Sequence, residues 1–180
     1  NSQTISVYFA QQGSTVNDQG DIIRSDGFTA KQVQDIMGMF SSISDFANIN
    51  FVRTTNQRDS DIQLATSNLG GSLLGYMYPQ GTSSVSDGLG VLTSNPTYWN
   101  EESTAIGGFM YNIIIHELGH GLGLAHPHDT GGGSAILNGV RASWHRGEHE
   151  LNQGIYTVMS YNEGWLRHPA GTPRDYNSGY

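Results

Sequence analysis

Residues 116–126 read H-E-L-G-H-G-L-G-L-A-H, and His116, Glu117, His120, Gly123 and His126 each have a chemical task at that spacing. On a helix, His116 and His120 lie four apart and project from one face. Two imidazoles on one face can hold one side of a tetrahedral Zn2+. Glu117 is rotated by about 100° from His116. It therefore stands beside such an ion without ligating it, where it can take a proton from an attacking water. Gly123 falls one turn after His120, where a helix can end in a left-handed residue that glycine tolerates best. The chain can then turn back and deliver His126 from another direction. Three neutral nitrogens leave the fourth position open, which is the pattern of a catalytic zinc site and not of a structural one. A bare H-E-x-x-H recurs by chance, and a lone His on an apolar helix is more often core than ligand. Five fixed positions in one short window leave little room for either.

The segment leading into this stretch, I-G-G-F-M-Y-N-I-I-I (106–115), is apolar almost all round. That predicts a buried helix over about 104–122, with Ser103 or Thr104 as its cap. Phe109 and Ile113 fall on roughly the histidine face, and apolar surroundings keep imidazoles neutral and ready for metal. Farther upstream, Thr4 to Ala10 reads as a strand rich in β-branched and aromatic residues. Gly13 to Gly27 reads as a polar loop. Thr29 and Gln32 form a capping box, and Phe28 with Val33 can staple it. Val33, Ile36, Met37, Phe40, Ile43 and Ala47 continue as an apolar stripe at helical spacing, with the helix ending near 47–50. Asn50 to Thr55, Asp61 to Thr66, Leu73 to Tyr78 and Gly90 to Thr93 read as four further strands. A strand, a helix, several strands and a second helix predict an α+β fold, a sheet covered by helices.

Downstream, Thr157-Val158-Met159-Ser160-Tyr161 reads T-V-M-S-Y. Together with the longer histidine motif, this resembles the metzincin metalloproteases, in which a methionine-containing turn follows beneath the metal. Within them the chain looks most like the serralysin family. Pro127 directly follows the third histidine, Asp129 completes an H-P-x-D pattern, and Tyr161 stands two residues after the turn methionine. His128 departs from that family, which usually has Gly there. The likeness is sharp over 104–129 and 155–161 and only general over the first hundred residues.

The resemblance implies a metzincin-like zincin, with a twisted mixed sheet and two long helices above an active-site cleft. The upper subdomain would span 1–123 and a loop-rich lower one 124–180. It implies Zn2+ on His116, His120 and His126, with Glu117 as general base and then proton donor to the leaving amine. Tyr161 would be an extra ligand at rest that swings away to stabilise the oxyanion, and Met159 an apolar floor, with Gly123 shaping the turn. Leu73, Leu74, Gly75, Tyr76, Met77 and Tyr78 would be the edge strand to which a peptide adds, by main-chain bonds that tolerate many side chains. The implied activity is a secreted, extracellular zinc endopeptidase acting on proteins or peptides. The rival is a catalytically silent metal-binding module that binds peptides, and Glu117 argues against it.

His145-Arg146-Gly147-Glu148-His149 also matches H-x-x-E-H, an inverted zincin pattern. Gly147 in its middle weakens any helix, so a solvated polar loop is the expected reading. Composition narrows the partners. The 180 residues suffice for one domain with a core. A net charge of −8 without a basic patch disfavours nucleic acid and anionic membranes. No apolar run reaches the roughly 18 residues that cross a bilayer. Cysteine is absent. No calcium-binding glycine repeat follows Gly131 to Gly133, and no helical period follows Trp165. The chain is therefore expected to be a piece of a longer protein, lacking a C-terminal helix and a β-roll that could hold Ca2+, with a C-terminal segment of the same protein as a partner.

Overall fold

The computed structural model describes residues 3–82 and 84–162. In chain order its elements are β1 (Gln3–Phe9), β2 (Thr15–Asp18), β3 (Asp21–Arg24), α1 (Ala30–Ser44), β4 (Ile49–Thr54), β5 (Ile62–Ser67), β6 (Gly75–Met77), β7 (Leu89–Thr93), α2 (Glu101–Thr104) and α3 (Phe109–Gly121). Five strands form one sheet in the order β4-β1-β5-β7-β6, parallel except for β6, which runs antiparallel to β7. The fold is thus a mixed, mostly parallel sheet with two helices of 15 and 13 residues.

Mostly parallel sheets need cover on both faces, and alternation along β1 supplies both. Ile5, Val7 and Phe9 point into the main core with Val33, Ile36, Met39 and Phe40 of α1 and Met110, Ile114 and Leu118 of α3. Tyr8 points the other way, into a smaller cluster with Val16, Ala65, Leu89 and Val91. Val16 belongs to a hairpin, β2 paired with β3, which covers that second face. The sequence reads Gly13 to Gly27 as a loop, and this is corrected. The strands have four residues each, only Val16 is buried, and Ile22 is 66% exposed, so no alternating pattern marks them. The turn is Gln19-Gly20, both with positive φ, as a two-residue hairpin of this kind requires.

The capping box of α1 is present, Thr29 accepting from the Gln32 N–H and Gln32 from that of Thr29. The helix stops at Ser44, short of the expected 47–50, and Met39 rather than Met37 is fully buried. The single helix expected over 104–122 is two. Asn100 caps α2, whose buried Thr104 continues into extended Ala105. The chain then doubles back so tightly that a Cβ on Gly108 would lie 2.2 Å from the Ser103 carbonyl oxygen. Ser103 still caps, but from the preceding helix: its hydroxyl accepts from the Met110 N–H at 3.1 Å.

The edge strand is shorter than Leu73 to Tyr78, yet its ladder extends beyond both ends. Thr93 N–H donates to Leu74 and Tyr78 N–H to Leu89. Antiparallel pairs alternate between bonded and non-bonded, so Tyr76 shares its ladder bonds with Val91. Gly75 and Met77 then turn their main-chain groups outward from the last strand of the sheet.

Beyond Gly121 the described chain holds no strand and only two one-turn 3-10 segments, Gly131–Gly133 and Glu148–Glu150. Side-chain amides organise it. Asn152, fully buried, donates to the carbonyls of Ser143 and His145, and Asn162 to those of Ser143 and Asn152. The expectations for Trp165 onward, a polar loop without a further helix, fall outside the described residues. No helix among the described residues is long and apolar enough to cross a membrane.

Candidate metal centre

His116, Glu117 and His120 ride on the last two turns of α3, where His116 and Glu117 are buried. The helix ends as the sequence reading anticipates. Gly123 has φ +92°, its N–H bonds the His120 carbonyl, and the Leu124 N–H reaches back to Gly119. This paired closure fixes the turn, and it also places the Leu124 carbonyl, which faces His120 Nδ1 at 2.9 Å. The chain that follows returns His126 to the other two histidines.

Each imidazole is oriented by a different acceptor. His116 Nδ1 lies 2.7 Å from the Val158 carbonyl oxygen, and His126 Nδ1 lies 2.6 Å from Asp129 Oδ2. With an acceptor at every Nδ1, that nitrogen carries the proton and Nε2 presents a lone pair. The three Nε2 atoms sit 3.1, 3.2 and 3.1 Å apart. In this tautomer they are not hydrogen bonds to one another, because no proton remains to share. Three converging lone pairs repel unless a cation lies among them. A tetrahedron with Zn–N bonds of 2.0–2.1 Å has edges of about 3.3–3.4 Å, so the triangle fits such an ion closely. Burial, reinforced by the neighbouring histidines, lowers the pKa of His116 to about 4. Burial also lowers that of His120. Both therefore stay neutral and competent to bind metal.

Glu117 stands beside this triangle, and burial raises its pKa to about 7. It faces the edge strand so closely that a Cβ on Gly75 would lie 3.2 Å from Glu117 Cγ. Below the helix, Met159 is 2% exposed, and a Cβ on Gly119 would come within 2.6 Å of its sulfur. Glycine at 119 lets the methionine press against the helix backbone. Tyr161 brings its ring 5.6 Å from that of His116 and 4.6 Å from that of His126, with 60% of the residue exposed. Burial, with the charges of Glu117 and Asp129, raises its pKa.

Asp129 and His128 are closer to the centre than a pattern match suggests. Burial acts to raise the Asp129 pKa, but bonds from the Gly131 N–H and from His126 overcome it, and the carboxylate stays ionised. His128 stacks on His126 with ring centroids 4.9 Å apart, and its Nδ1 is buried without a partner. The rival H-x-x-E-H segment holds no α-helix, only the start of the one-turn 3-10 segment Glu148–Glu150. Gly147 and His149 have positive φ, and the His149 side chain is 81% exposed. The carbonyls of Val158 and Leu124, main-chain groups, left no mark in the sequence. The Asp129 carboxylate did, three residues after His126.

No family model matches the chain. It is 28% identical over 149 residues to metallopeptidase AprA of Pseudomonas marginalis, covering 82% of this chain and 30% of that protein. It is 29% identical over 137 residues to serralysin of Photorhabdus luminescens, covering 74% of this chain and 27% of that one. The chain thus spans under a third of the length of these curated relatives. Among solved structures, myroilysin aligns with a TM-score of 0.46 at 18% identity, over 70% of this chain and 50% of that one. In its sequence the chain is similar to the catalytic domain of serralysin-type metzincins.

Proposed function

We propose that the protein is a secreted, zinc-dependent endopeptidase whose ligands are His116, His120 and His126 and whose base is Glu117. The observation that carries this reading is the Nε2 triangle, with every Nδ1 engaged and a buried carboxylate alongside. When bound, zinc supplies Lewis acidity toward the scissile carbonyl and the attacking water. The other steps belong to the chain. A carboxylate with a pKa near 7 can both take a proton from water and return it to the departing amine at neutral pH. Tyr161, at the rim, would donate to the oxyanion as the carbonyl becomes tetrahedral. The outward main-chain groups of Gly75 and Met77 would pair with an extended peptide, which fixes its backbone next to Glu117 without reading side chains. The cleft would lie between residues 3–123 and 124–162.

Metal analysis of purified protein should find one tightly held zinc, lost on replacing His126 but retained in Glu117→Gln. That variant should lose about 10²–10⁴-fold in turnover, the usual contribution of a general base. Near-parental hydrolysis by Glu117→Gln would overturn the assignment.

A further inference from the structure

The edge strand β6 has three residues, too few to hold a position by its ladder alone. On the metal side Gly75 and Met77 face α3, and a Cβ on Gly121 would strike the Met77 side chain. On the opposite side stands Tyr76, in the small cluster that the β2–β3 hairpin covers. Its hydroxyl donates to Asp18 Oδ2 at 2.6 Å, across 58 residues of sequence. The other oxygen of Asp18 is buried with no partner. The neighbouring Tyr78 hydroxyl also acts on this carboxylate, and burial together with that contact raises the pKa of Tyr78. Tyr78 packs edge-on against Tyr76 at 5.8 Å. The hairpin is itself tethered, since the Gln19 N–H donates at 2.6 Å to Ser86, a buried residue just before β7.

We propose that Asp18 and Tyr76 form a positioning pair that holds β6 at the height from which it presents Gly75 and Met77 to a peptide substrate. The inference rests on the protease reading above. The pinned residue lies between the two whose main-chain groups face outward, so any tilt of β6 displaces both. A hydrogen bond to a carboxylate is among the stronger ones, and its loss leaves the half-buried Asp18 short of a donor, which the hairpin can relieve by moving away. Neither residue touches the metal ligands or Glu117, so the pair should act on substrate binding rather than on the chemical step.

The test uses zinc-replete protein and an internally quenched peptide that the parent protein cleaves. Tyr76→Phe should raise KM about tenfold with kcat changed far less, the pattern of lost substrate binding. Asp18→Ala should do the same, and the double variant should add little to either single one. Asp18→Asn, whose side-chain oxygen still accepts from the phenol, should restore KM. Amide exchange at Tyr78, whose N–H bonds Leu89, should accelerate in Tyr76→Phe but not in Asp18→Asn. An unchanged KM in folded Tyr76→Phe would overturn the proposal, as would a fall in melting temperature with no movement of KM. If the parent cleaves no peptide, the protease reading fails instead, and the exchange measurement still decides whether the pair holds β6. Should Tyr76→Phe fail to fold, the two Asp18 variants carry the same comparison.

Discussion

The two sides of the histidine cluster are built by different means. Residues 3–123 are ordered by main-chain ladders and helices around a core in which Val7, Ile36, Phe40 and Ile114 are fully buried. Residues 124–162 have no ladder, and two asparagines, Asn152 and Asn162, gather their carbonyls. The centre straddles this seam. His116, Glu117 and His120 come from the helix, whereas His126, Asp129, Met159, Tyr161 and the Val158 carbonyl come from the loops. The helical half is fixed by its packing alone. The loop half meets it through the Val158 bond to His116, the bonds of Leu124 to Gly119 and His120, the Met159 and Tyr161 contacts and whatever the imidazoles share. A metal would therefore do more to order the loops than the helices.

Chelation should test that difference most severely. Removing zinc should abolish hydrolysis and also accelerate amide exchange selectively over 124–162, leaving α1 and the central strands β1 and β5 protected. Ligand linkage is worth about 4 kcal/mol at a thousandfold excess over Kd, and most of it should be read on the loop side. Equal acceleration in the sheet would mean that the two sides unfold as one unit.

A smaller effect separates the two sides within the chemistry itself. Tyr161 belongs to the loop half and is 60% exposed, so its value should lie in the transition state. Tyr161→Phe should lower kcat and kcat/KM together by about 10–100-fold while KM stays near parental. Steady-state kinetics on one peptide decide this. A change confined to KM would make Tyr161 a wall of the substrate site.

The same seam divides what the sequence made legible. The helical half of the centre follows from spacing four apart and from Gly123, because a helix converts local sequence into geometry. The strands Thr4 to Ala10 and Gly90 to Thr93 were readable from their β-branched and aromatic content. The hairpin at 15–24 was not, since its stability comes from covering Tyr8 and Val91 and its own residues are mostly polar. The break at Ala105 to Gly108 hid inside a run that stays apolar on both sides, with Ile106 84% exposed. On the loop side, Met159 and Tyr161 were found through family likeness alone. The bonds of Asn152 and Asn162 have no period to betray them, and the acceptors on His116 and His120 are carbonyls that any residue could supply.

The smallest expected effect concerns pH and isolates one residue of the helical half. In the metal-free protein, Glu117 has its pKa raised by burial from 4.5 to about 7. Between these values the folded state binds more protons than the unfolded one. Stability from this group is thus greatest at low pH and is lost as pH rises through 7, amounting to about 3 kcal/mol in all. His116 runs the other way. Burial lowers its pKa from 6.5 to about 4, so its folded state binds fewer protons and stability grows as pH rises across that range. The two slopes oppose each other and partly hide in the parent protein. Glu117→Gln removes only the first. The variant should match the parent below pH 4.5 and gain on it steadily to about 3 kcal/mol above pH 7, read from urea unfolding of both proteins under chelator. A constant offset across that range would mean that Glu117 is not held in a dry setting, and that this carboxylate is solvated before any substrate arrives.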